Sequence, residues 1–75
     1  MGKYTNELKA VQERLNEVLR PFGHRVDINH QSGWTVMYIV KLDTNTANLL
    51  QGGLTDKTAI QYIRAMLDGH KYTQN

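Results

Sequence analysis

Seventy-five residues, 40% of them hydrophobic and carrying a net charge of +2, make one small globular domain. The absence of cysteine excludes disulfides, thiolate metal sites and a cysteine nucleophile. No apolar run approaches the ~20 residues needed to span a bilayer, and MGKYTNELKAV lacks the apolar core of a signal peptide, so the cytoplasm is the expected compartment.

The first predicted element is a helix from Asn6 to Arg20. Leu8, Val11, Leu15, Val18 and Leu19 fall on one stripe. Thr5 or Asn6 supplies the N-cap, and Pro21 ends the helix because the residue before a proline resists helical geometry. Next, HRVDINH (residues 24–30) alternates His24, Val26, Ile28 and His30 with Arg25, Asp27 and Asn29, which predicts a strand. Gln31-Ser32-Gly33 is read as the hairpin turn. The chain returns as GWTVMYIVKLD, a second strand rich in β-branched and aromatic residues.

That second strand is apolar on both faces. Trp34, Val36, Tyr38 and Val40 lie on one side; Thr35, Met37, Ile39 and Lys41 lie on the other. TANLLQGG (residues 46–53) fits a short third strand better than a helical turn. The last helix starts at Thr55 as N-cap, with Asp56 in its first turn and Leu54 stapled onto Ala59. Ala59, Ile60, Ile63, Met66 and Leu67 form its buried stripe, with Tyr62 at the edge, and Gly69 is the expected left-handed stop. Residues 1–4 and 70–75 are expected to fray.

The order α-β-β-(β)-α predicts an α+β fold, with one antiparallel sheet and both helices on the same face. The expected core is Leu8, Val11, Leu15, Val18, Val26, Ile28, Val36, Tyr38, Val40, Ile60, Ile63 and Leu67. Nothing apolar then remains to cover Met37 and Ile39. They become the centre of an outer face with Thr35, Arg25, Asp27 and Lys41, an apolar middle with a polar rim. With the facing reversed, the same reasoning moves the patch to Trp34, Val36 and Tyr38.

Chemistry is thinly represented. His24 and His30 lie six residues apart on one strand, about 20 Å, too far to share a metal. Asp27 is expected to pair with Lys41 or Arg25. Gly52-Gly53 before a helix lacks the spacing of a phosphate-binding loop. A domain of this size is also expected to lack a pocket of several hundred Å3. The expectation is a non-enzymatic interaction module without cofactor, metal, membrane or small-molecule substrate, associating with itself as a dimer or with another protein.

The helix-strands-helix order is similar to that of double-stranded-RNA-binding domains, which touch phosphates through a basic run opening their second helix. The matching stretch here reads TDKTA, with one lysine and one aspartate. A nucleic-acid-binding alternative would use Arg25, Lys41, Trp34 and Lys57. From Gly33 to Gly69, GWTVMYIV and GLTDKTAIQYIRAMLDG resemble small uncharacterised proteins of bacteria and their phages. That resemblance implies a phage or prophage accessory protein and assigns no residue a role.

Overall fold

The computed structural model describes residues 4–73, and side chains from 4 to 69. Helix α1 spans Thr5–Leu19, a 3-10 turn follows at Arg20–Phe22, and three strands come next: β1 (His24–Gln31), β2 (Trp34–Lys41) and β3 (Thr46–Leu54). Helix α2, Asp56–Thr73, closes the fold. The strands form one antiparallel sheet in the order β1-β2-β3. This is the α+β arrangement expected from the sequence, and the segment after residue 45 is a strand of nine residues.

The helices form where the stripes predict them. Leu8, Val11 and Leu15 of α1 and Ala59, Ile60 and Ile63 of α2 are buried together with Val26 and Met37. The start of α1 differs from expectation, since the N-cap is Tyr4, not Thr5 or Asn6. Pro21 sits in the 3-10 turn, and Gly23 (φ +78°) then turns the chain into β1. The start of α2 follows expectation. Thr55 Oγ1 accepts from the Thr58 amide (3.2 Å), while the Thr55 amide donates to Thr58 Oγ1 (2.9 Å). Thr58 thus completes a reciprocal cap of the capping-box kind.

Two expectations about the ends are corrected. Gly69 does not stop α2, which continues to Thr73. A glycine terminates a helix by adopting positive φ, and Gly69 is not among the positive-φ glycines. Residues 70–73 are therefore helical rather than frayed, and residues 1–3 and 74–75 lie outside the described part.

The main correction concerns the facing of β2. Val26 pairs with Ile39, and Ile28 with Met37. The helix-covered face of β2 therefore carries Thr35, Met37 and Ile39, while Val36, Tyr38 and Val40 lie on the other side. Met37 is 0% exposed and belongs to the core, where Val36 and Tyr38 were expected. Val40 is buried as well, yet stands outside the helix-covered cluster. Val18, Ile28 and Leu67 are partly buried.

The cause lies in the turn. Only Ser32 and Gly33 are in it, with φ +52° and +80°, the positive pair that a two-residue type I′ connection requires. Gln31 is in the ladder opposite Trp34. A three-residue turn from Gln31 would have paired His30 with Trp34 and aligned Val26 with Tyr38. One residue of register exchanges every side chain between the faces.

Candidate functional site

The site is the uncovered face of the sheet. By alternation, β1 gives it Arg25, Asp27, Asn29 and Gln31. From β2 come Trp34, Val36, Tyr38 and Val40, and from β3 Ala47 and Leu49. The ladder sets these in rows: Arg25, Val40 and Ala47, then Asp27, Tyr38 and Leu49, then Asn29 and Val36. Gly52 lies beside Val36 and Leu49, since a Cβ there would sit 3.9 Å and 4.0 Å from their side chains. Trp34 is 52% exposed and Leu49 is 65% exposed. Phe22 and Leu42 add exposed apolar surface near the His24 end of the sheet, where the Leu42 amide donates to the Gly23 carbonyl (2.9 Å).

Four polar groups of this face are joined in pairs. Arg25 Nε donates to Asp27 Oδ1 (3.0 Å) and Arg25 Nη2 to Asp27 Oδ2 (3.3 Å). This hydrogen-bonded, oppositely charged neighbour raises the Arg25 pKa further. Gln31 Nε2 donates to the Tyr38 hydroxyl (3.3 Å). The charged pair is neutral as a whole, so the face presents an apolar band beside a compensated rim.

Several residues expected here lie elsewhere. Met37 and Thr35 are buried beneath the helices, and Ile39 and Lys41 share that side by alternation. Of the six residues expected to form the interface, Arg25 and Asp27 are on the open face. The expected ion pair of Asp27 forms with Arg25, because Lys41 stands opposite His24 on the other face. The four nucleic-acid candidates do not converge. Arg25 and Trp34 share the open face, Lys41 is on the opposite face, and Lys57 is in the first turn of α2.

Beneath the sheet, sequence reasoning missed a polar latch. Asp56 Oδ1, in the first turn of α2, accepts from Thr35 Oγ1 (2.6 Å) and His30 Nε2 (2.9 Å). Hydrogen bonds from Thr35 and His30 hold the Asp56 carboxyl below its usual value of 3.8, against the opposing effect of burial. His30 and Thr35 share a row only in the observed register, so no local signal in the sequence joins them to Asp56. Gly52 and Gly53 lie in β3, with the register shifting near Gln51 and Gly53 at φ +66°, so this end of the strand is irregular.

A cleft of about 430 Å3 lies between the helices, lined by Arg14, Val18, Arg64, Leu67 and Asp68. It is an open surface groove rather than an enclosed pocket. Arg64 there donates to Glu7 (2.6 Å), joining α2 to α1. Among the described residues no group of three His, Asp or Glu could hold a metal ion, and no helix is long and apolar enough to cross a membrane. Comparison with protein-family models, curated proteins and solved structures finds no match.

Proposed function

We propose that this chain is a non-enzymatic interaction module that associates with itself by stacking the open sheet face on the same face of a second copy. The observation that carries this reading is the apolar band Trp34, Val36, Tyr38 and Leu49 on a sheet face with no covering layer among the described residues. Exposed apolar patches with polar rims are the common mark of interaction sites. Full burial of one large apolar side chain contributes about 1.5–3 kcal/mol.

Charge is compatible with a second copy: Arg25 and Asp27 neutralise each other within each chain, so two such faces meet without net repulsion. Sedimentation equilibrium over a concentration series tests the reading. A Trp34→Lys, Val36→Lys double variant is expected to lose the face-to-face contact and so halve the assembly mass, and a wild type that stays monomeric at high micromolar concentration sinks the reading.

The alternative is single-stranded nucleic acid stacked on Trp34 and Tyr38, which do lie on one open face. Against it, the cation on that face, Arg25, is tied to Asp27. Titration with single-stranded DNA and RNA at low salt separates the two, because phosphate-driven binding strengthens as salt falls.

A further inference from the structure

The two edges of the sheet are finished differently. At the β1 edge the Val26 amide donates to Asn16 Oδ1 (2.7 Å). The Val26 carbonyl accepts from Gln12 Nε2 (2.9 Å) and Asn16 Nδ2 (3.3 Å). Two amide side chains of α1 thus occupy both outward groups of Val26 on the β1 edge. At the other edge no strand lies beyond β3 among the described residues. β3 reads TANLLQGGL and carries neither charge nor proline, the usual devices that blunt an edge.

The direction of the β3 backbone follows from the ladder. Val26 points away from β2, and direction alternates along an antiparallel strand, so Arg25 and Asp27 bond to Val40 and Tyr38. Ile39 and Lys41 then turn towards β3, where they meet Asn48 and Thr46. The N–H and C=O groups of Ala47 and Leu49 consequently point outward from the free edge. The regular run is bounded by Asn45 (φ +56°) on one side and the irregularity at Gln51 on the other. Its midpoint is Asn48.

We infer that the β3 edge is a second association site, and that its occupant is β3 of another copy, antiparallel and centred on Asn48. Ala47 of one chain then faces Leu49 of the other, twice over, and each such pair exchanges two backbone hydrogen bonds. A strand without charge meets its own copy without repulsion. Only an extended backbone matches the outward groups, and the symmetric run about Asn48 suits an isologous contact. Pairing of this kind makes one six-stranded sheet and joins the two open faces side by side. This site is separate from the face-to-face contact proposed above. Used together, the two contacts give an assembly of four chains.

The test measures assembly mass by native mass spectrometry and sedimentation for three chains: wild type, Ala47→Pro, and Trp34→Lys, Val36→Lys. Proline at 47 removes an outward N–H and leaves the bonds to β2 intact, a position edge strands tolerate. A synthetic chain with N-methylalanine at 47 serves the same purpose if the proline variant does not fold. Four chains are expected for the wild type and two for each variant. In the face variant, amide exchange at Ala47 and Leu49 should slow at least about tenfold from dilute to concentrated solution, while Asn48 is unchanged. A folded position-47 variant with the mass of the wild type overturns edge pairing, as does a face variant that is monomeric at every concentration. If the face variant keeps the mass of the wild type while the position-47 variant becomes monomeric, the edge site stands and the face contact is discarded.

Discussion

The two faces of β2 are nearly matched in apolar character, yet they meet different surroundings. Met37 and Thr35, at 0% and 2% exposure, lie beneath the helices, whereas Trp34, one position from Thr35, is half exposed. Met37 belongs to one core cluster with Leu8, Leu15 and Ile63. On the far side, Val40 is buried outside that cluster, flanked in its row by Arg25 and Ala47. Hydrophobicity alone did not choose the inner face. The choice rests on the turn and on polar groups that make sense only in one register. Thr35 reaches Asp56 only when it points towards α2.

Substitution on the two faces should separate them sharply. Met37→Ala is expected to cost about 2–5 kcal/mol in urea unfolding, the usual range for emptying a packed core site. Met37→Lys should remove the cooperative transition altogether, since it buries an unpaired charge. An equal and small effect of Met37→Ala and Trp34→Ala would mean that the two faces do not differ in burial.

The next effect tests the edges. Asn16→Ala with Gln12→Ala leaves the Val26 peptide without its α1 partners, with an expected loss of about 1–3 kcal/mol. The same variant should form heavier species on concentration, seen by light scattering, because both edges are then open.

Smaller still is the turn that fixes the facing. Nothing lies within 4 Å of a Cβ at Gly33, so Gly33→Ala should cost only the conformational penalty of φ +80°, about 1 kcal/mol. Thermal unfolding measures it. The latch gives a pH dependence. The Asp56 pKa is depressed in the folded chain, so its contribution is complete above 3.8 and is lost as pH falls through the lower folded value. Asp56→Asn should flatten that acid limb and leave the neutral region nearly level. Last, Trp34→Lys should change monomer stability by no more than about 0.5 kcal/mol, as surface changes do.

Much of the fold was legible in the sequence because helical stripes and caps are local signals. Leu8, Val11 and Leu15, and Ala59, Ile60 and Ile63, announce their helices by spacing alone, as Thr55 announces the start of α2. The facing of β2 was not legible. Period-2 reasoning needs one polar face, and β2 is apolar on both. The deciding fact was whether Gln31 belongs to the turn or the ladder, a question about φ at Ser32, where serine gives little warning of a positive angle. The candidate site moved with it, from Met37 and Ile39 to Trp34, Val36 and Tyr38, while Arg25 and Asp27 stayed on the open side. The latch escaped notice because Thr35 and Asp56 are brought together only by the tertiary fold.

A sheet with two reactive edges is a bifunctional monomer, and its pairing propagates into a ribbon. With Asn16 and Gln12 seated on Val26, that part of the β1 edge is already bonded. If β3 couples as proposed, lateral growth beyond β1 is opposed there, and α1 would act as the chain stopper.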